Sequence, residues 1–399
     1  MSHIVITWEL GSHLGHISRF LPLALKLKEA GHQVSFILKD LSHAYEMLVK
    51  YGFSVYQAPV WLLKAPGVKS PPANFAEILI LFGYLNSNHL SGMVAGWRSL
   101  YEQLQPDLVL FDHSPTALLS AKPYHFKKAL FGTGFFHPLH TVPMPDFRPE
   151  DSVPPARLQK SEERVLNVVN EVLANYGTSS LGALYELFEV DEDFLITYPE
   201  LDHYQNRPGA KYWGILTTNE GGTEPHWPGD DEPKIFAYLK PEYGQTPEIL
   251  QAISEIGCQA VIFSPNLPES LIEKYSNDRI AFSRQRYKIR TIANQADLVI
   301  CHAGHDTTAT VLSAGKPLLL LPMHQEQQLL ANQVEKLGAG LIGHQDETAE
   351  SYLAKLQRIL SDESFSETAR AFANQYADTG LENSLERVTQ RCLELLELQ

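Results

Sequence analysis

A chain of 399 residues with a net charge of −15 and 44% apolar residues is a folded protein too long for one ordinary core, so two domains of roughly 200 residues each are expected. The acidic excess excludes nucleic acid as a bulk partner, because phosphate backbones call for clustered Lys and Arg, and it argues against broad adhesion to anionic lipid. Three scattered cysteines, Cys258, Cys301 and Cys392, suit the reduced thiols of a cytoplasmic protein.

The first forty residues predict strand, loop, helix, strand: Ile4–Trp8, the loop Gly11–His16, an apolar helix Phe20–Ala30 closed by Gly31, then Val34–Leu38. A helix bracketed by two strands makes a parallel βαβ unit. The chain enters the first strand directly after Met1-Ser2-His3, so no signal peptide is expected. No apolar run approaches the ~20 residues of a bilayer span, and no integral membrane segment is expected. Pro106–Asp112 is a buried strand with an acid at its carboxyl edge, and Ala129–Phe131 repeats the pattern weakly. The Pro/Gly-rich segment 208–233 has turn signals and no sustained period, which predicts a linker between an N-terminal domain, 1–207, and a C-terminal one, 234–380. Within the latter, strands are expected at Lys234–Leu239, Gln259–Phe263, Arg279–Phe282, Leu298–Cys301 and Leu318–Leu321, with an amphipathic terminal helix over 381–399. The fold class is α/β: two Rossmann-like doubly wound domains with a ligand cleft expected where the carboxyl ends of their sheets face each other.

The most informative stretch is Cys301-His302-Ala303-Gly304-His305-Asp306-Thr307-Thr308, followed by a helical pattern and Gly315-Lys316-Pro317. An apolar strand runs into a turn of small and hydroxylated residues, and a helix starts there. Such a start offers unpaired N–H groups and the positive end of a dipole, for which a diphosphate is the natural occupant. A nucleotide-linked substrate held by its phosphates follows.

These residues resemble the nucleotide-sugar-dependent glycosyltransferases of the two-Rossmann-domain (GT-B) type. The resemblance is strongest to the inverting bacterial branch that glycosylates macrolides, glycopeptides and other small lipophilic aglycones. That family's C-terminal signature, His-Gly-Gly-x-Gly/Asn-Thr/Ser, Gly-x-Pro, Pro-x-x-x-Asp/Glu-Gln and Gly-x-Gly, is similar to His302–Thr307, Gly315–Pro317, Pro322–Gln327 and Gly338–Gly340. Its N-terminal Gly-His-Ile/Val is similar to Gly15-His16-Ile17, with Pro22 displaced from the common position. The resemblance spans most of the chain and is specific over about residues 280–343.

By this resemblance His16 is the general base and Asp112 orients it. Inverting transfer needs an acceptor hydroxyl deprotonated as it attacks the anomeric carbon, and a neutral imidazole suits that task. A carboxylate on the other ring nitrogen fixes the tautomer. Nearby, His13 competes for the same role. The resemblance further implies that His302, Gly304, Thr307 and Thr308 hold the donor's diphosphate, and that Glu326 and Gln327 bind its sugar. Arg284 and Gln285 fall at the nucleobase loop. No metal or resident cofactor is implied: a UDP- or dTDP-sugar is the co-substrate and a small lipophilic molecule the acceptor. Trp61-Leu62-Leu63, Ile78–Leu85, Trp97 and Phe135-Phe136 offer surface for it or belong to the core.

Three departures stand out. Ala303 replaces a glycine. Asp306 puts a negative charge beside the phosphates, which suits a donor role only if it points to the sugar. Thr310 stands where relatives carry a ribose-gripping glutamate, and so leans toward a deoxyribose, hence a dTDP-sugar. Alternatives left open are a sugar-nucleotide epimerase of the same architecture, a non-catalytic nucleotide-sugar-binding protein, and a two-domain metallohydrolase built on His13-x-x-His16 and His302-x-x-His305-Asp306.

Overall fold

The computed structural model describes all residues except 12–14, 64–70, 149, 151, 206, 217–220, 230–232, 378–380 and 399. Within those limits the apolar runs become the strands of two six-stranded sheets. The first unit holds β1 (His3–Trp8), β2 (Gln33–Leu38), β3 (Ser54–Gln57), β4 (Leu108–Asp112), β5 (Lys127–Gly132) and β6 (Glu192–Leu195). The second holds β7 (Lys234–Tyr238), β8 (Gln259–Phe263), β9 (Ile280–Ser283), β10 (Leu298–Cys301), β11 (Leu318–Leu320) and β12 (Gly340–Ile342).

The spatial orders are β3-β2-β1-β4-β5-β6 and β12-β11-β10-β7-β8-β9, and every pair in them is parallel. Both are the doubly wound dinucleotide order. From β1 the chain winds one way across the sheet, and from β4 it winds the other way; β7 and β10 repeat this. Right-handed crossovers then lie on opposite faces, and the loops diverge at the carboxyl ends of β1/β4 and of β7/β10. Each fully buried inner strand lies on a core of its own: Ile4, Ile6, Phe36, Leu110 and Phe131 in the first unit, Ile235, Ala260, Ile262, Ile300 and Leu319 in the second.

The unit boundaries differ from the expected linker. The first unit comprises 1–198, 204–216 and 384–399, and the second 199–203 and 217–383. Part of the Pro/Gly-rich segment is structural: Trp213 donates its backbone N–H to Leu195, and Trp213 and Leu216 are buried in the first core. The terminal helix Leu381–Glu397 returns to that core with Leu385, Val388, Cys392 and Leu395. Arg391 ties it to Glu192 on β6 at 2.5 Å. Its strong amphipathicity is therefore spent on the N-terminal sheet, far away in sequence. Leu395→Ala should leave a cavity there and lower the free energy of the first unit's unfolding transition in urea by about 2–4 kcal/mol, leaving the second unit's transition in place.

Candidate functional site

In the first unit the site is built where β1 and β4 diverge. His16 lies on the short helix Gly15–Ser18, and its Nδ1 stands 3.0 Å from Oδ2 of Asp112, the last residue of β4. A carboxylate only accepts, so Nδ1 carries the proton and Nε2 is the basic nitrogen. Asp112 is fully buried, and among the described residues His16 is its carboxylate's only hydrogen-bond partner. The imidazole stacks on Trp8, with ring centroids 5.1 Å apart and planes at 14°, so an aromatic face is ready to stabilise it as an imidazolium. His13 lies outside the described residues.

Three neighbours that the sequence analysis did not single out shape this pair. Gly11 has φ +82°, and a Cβ on it would stand 2.5 Å from His16 Nε2; its backbone therefore fronts the basic nitrogen as no other residue could. Lys39 donates from Nζ to the Gly11 carbonyl at 2.7 Å, fixing the loop from the end of β2. Glu9 is buried, and its Oε2 accepts the backbone N–H groups of Thr116 and Ala117 at 2.8 and 3.3 Å. Those groups open the helix Pro115–Ala121, which has no N-cap side chain of its own, so Glu9 caps the helix that follows Asp112. Only the lone acid in an otherwise apolar run, Ile4 to Leu10, marked it in the sequence.

Burial pushes the Glu9 carboxyl up to about 7 against its two N–H bonds and Lys39. The folded state thus keeps this proton up to pH about 7, whereas the unfolded chain releases it near 4.5. Folding takes up a proton between those values, so this contribution to stability is full below pH 4.5, falls as pH rises, and levels off above 7. Since Oε2 alone accepts both N–H groups, Glu9→Gln can keep them without the charge. Relative to the parent, it should gain roughly 2–3 kcal/mol of stability at pH 8 over its value at pH 4.5, measured by urea unfolding at both.

In the second unit the corresponding divergence is at β7/β10. His302 follows β10, is buried, and uses both ring nitrogens on backbone. Nδ1–H donates to the Leu321 carbonyl at 2.9 Å, and Nε2 accepts the Lys240 N–H at 3.0 Å. Burial pushes its pKa down to about 4, so the ring is a neutral brace joining the ends of β7, β10 and β11. Both ring nitrogens of this expected phosphate donor are thus taken by backbone partners. Thr308, also expected at the phosphates, is fully buried beside Cys301, whose thiol burial pushes up to about 11.

What the turn presents instead is backbone. Ala303 sits at φ +50°, which explains the glycine of the resembled motif and carries a strain of ~1–2 kcal/mol. Gly304 is exposed and N-caps the helix His305–Ser313 without a side-chain hydrogen bond. Among the described residues a Cβ on Gly304 would meet nothing within 4 Å, so space is open beside that residue. Thr307 is half-buried on the first turn. Asp306 Oδ1 lies 3.6 Å from His305 Nδ1, which gives its charge a local counterpart when His305 is protonated. Thr310 is buried.

Glu326 and Gln327 open the helix Gln325–Leu337. The Gln327 carbonyl accepts the Met323 N–H at 2.8 Å, which holds the amide at the end of β11. Glu326 is half-buried and close enough to His324 to oppose the burial that lowers that imidazole's pKa. A cavity of about 260 Å³ lies alongside, lined by Met323, His324, Gln328 and His344 among others. Arg284, expected at the nucleobase loop, is paired with Glu269 at 2.8 Å. Of the expected acceptor surface, Leu62 and Leu63 are exposed, whereas Trp97 is core and Phe135 and Phe136 are buried beside His16 and His113. Among the described residues no group of three or more His, Cys, Asp or Glu is placed to hold a metal ion, and no helix is long and apolar enough to cross a membrane.

Two sheets of this order, each with a loop–helix site at its switch point, define the GT-B class of α/β proteins. Residues 261–383 match the glycosyltransferase family 28 C-terminal domain, and the fold of the chain is that of solved GT-B glycosyltransferases. NDP-glycosyltransferase YjiC of Bacillus subtilis (strain 168) is 30% identical over 141 residues, 34% of this chain and 35% of that protein. That match therefore spans about a third of the relative's length. A PGL/p-HBAD biosynthesis glycosyltransferase of Mycobacterium tuberculosis (strain ATCC 25177 / H37Ra) is 24% identical over 319 residues, 73% of this chain and 72% of that one. The solved structure of glycosyltransferase VinC in complex with dTDP superimposes with a TM-score of 0.67 at 17% identity, covering 98% of this chain and 100% of that one.

Proposed function

We propose that the protein transfers a sugar from a nucleoside-diphosphate donor to a hydroxyl of a small lipophilic acceptor with inversion, and that His16 is the general base. The observation that carries this reading is the His16–Asp112 pair: a buried carboxylate on Nδ1 leaves Nε2 basic. The acceptor hydroxyl gives its proton to Nε2 as its oxygen attacks the anomeric carbon. The carbon–oxygen bond to the diphosphate breaks as the new one forms, on the opposite face. Asp112 and the Trp8 face stabilise the imidazolium that results.

The leaving diphosphate gathers negative charge, and the uncapped helix start at Gly304 offers N–H groups and a positive dipole end to it. Its anion site is thus backbone in character, with Thr307 as the available hydroxyl and Glu326 and Gln327 for the sugar. Thr310 in place of a carboxylate supports a dTDP-sugar, and the fold neighbour VinC was solved with dTDP. The nucleotide sugar is a co-substrate, and the reading includes no resident cofactor.

Because Gly304 has room for a methyl group, Gly304→Ala should fold with undiminished stability yet lose most of the thermal stabilisation given by dTDP. Stabilisation retained in that variant, or a larger shift with UDP than with dTDP, would overturn the donor reading. His16→Ala should lower kcat by about 10²–10⁴, and the product should carry the anomeric configuration opposite to the donor's; retention would exclude the mechanism. Gly11→Ala should lower kcat by about 10² through displacement of Nε2, while the dTDP shift stays as in the parent.

A further inference from the structure

Next to the His16–Asp112 pair stands a second imidazole that the proposed mechanism leaves unused. His113 follows Asp112 directly and holds a left-handed backbone, φ +44°, a conformation that persists only when its surroundings impose it. Its side chain is 7% exposed. Among the described residues neither Nδ1 nor Nε2 has a hydrogen-bond partner, whereas His16 and His302 are both anchored through Nδ1. Burial holds it neutral by lowering its pKa well below 6.5, so it carries one donor and one acceptor nitrogen.

Its position is fixed from two sides. The ring stacks on Phe136 at 4.6 Å between centroids and 8° between planes. Phe136 in turn lies flat on Gly132, where a Cβ would be only 1.9 Å from its ring. His113 Nδ1 faces the same point above Gly11 as His16 Nε2 does, 3.4 Å and 2.5 Å from where a Cβ would stand. Two imidazole nitrogens therefore front one small volume, one of them the base. The surrounding rings are aromatic: Trp8 against His16, and Phe75, Phe135 and Phe136 around His113.

We propose that His113 is a second acceptor-binding group, and that the acceptor it selects is a flat aromatic molecule with two adjacent oxygens, a catechol in its simplest form. This rests on the reading of His16 as the base. One hydroxyl delivers its proton to His16 Nε2, and the oxygen on the neighbouring ring carbon is held by His113. A second oxygen gives His113 the hydrogen bond it lacks in the free protein, whereas a single hydroxyl does not, and that gain is the source of the selectivity.

The test compares a catechol and the phenol of the same skeleton, titrated against the parent, His113→Phe and His113→Asn, with transfer rates measured on both. Phenylalanine keeps the stack on Phe136, and asparagine suits the left-handed backbone; thermal melts establish that each variant is folded. The parent should bind the catechol about tenfold more tightly than the phenol, and both variants should bring that ratio close to one. A ratio near one in the parent, or one unchanged in a folded variant, overturns the proposal. Selective binding without transfer from any nucleotide sugar would support His113 as a binding group while sinking the transfer reading on its own.

Discussion

The site depends on one topological constraint, the reversal of winding between β1 and β4 in the first sheet and between β7 and β10 in the second. At such a point two neighbouring strands send their loops to opposite faces, and the carboxyl edge between them is left uncovered. The polar groups exposed there must be satisfied or used. In the first unit Glu9 does the satisfying. By accepting the Thr116 and Ala117 N–H groups it anchors the helix behind the Asp112–His113 turn to the end of β1. The partner of His16 is thereby tied to the strand that carries Trp8. A carboxylate that burial raises to about 7 is a costly anchor, and its placement two residues before Gly11 shows what the cost sustains.

Around that anchor the His16–Asp112 pair is assembled from backbone shape as much as from side chains. Gly11 sets how near the chain approaches Nε2, and Lys39 holds Gly11. Asp112 reaches His16 across the turn, and its burial makes their hydrogen bond strong. The Trp8 stack adds a face whose attraction to the ring grows when a proton arrives.

The inner strands were legible in the sequence because burial on both faces demands unbroken apolar runs, and β1, β2, β8 and β10 fall where those runs lie. Three edge strands, β3, β6 and β12, were not, although the edge strand β9 falls where Arg279–Phe282 was expected. Ser54–Gln57 alternates exposed ends with half-buried centres, and Glu192–Leu195 opens with two acids, one held by Arg391 on the distant terminal helix. His16 and Asp112 could be named because a motif and a strand edge marked them. Glu9 could not, because what defines it is a contact over 107 residues with the N–H of Thr116. His302 was legible as a position, but its hydrogen-bond partners were not. Sequence places it at the start of a phosphate turn, but only the register of β7 and β11 shows that Lys240 and Leu321 take both its nitrogens.

That bracing of His302 separates the two units chemically. The same strand order yields in the first unit a switch point that carries side chains with defined protonation. In the second it yields one that withdraws them. His302 turns inward as a neutral brace, Thr308 packs on Cys301, and Ala303 accepts a strained φ so that Gly304 can stand open before an uncapped helix. A proton acceptor needs a tunable side chain, because its basicity is set by what touches it. An anion cradle needs the opposite: fixed dipoles that neither titrate nor reorganise as charge arrives. The two sheets therefore differ most where they correspond most closely: one switch point holds an imidazole on a buried carboxylate, the other a neutral imidazole on backbone beside an exposed glycine.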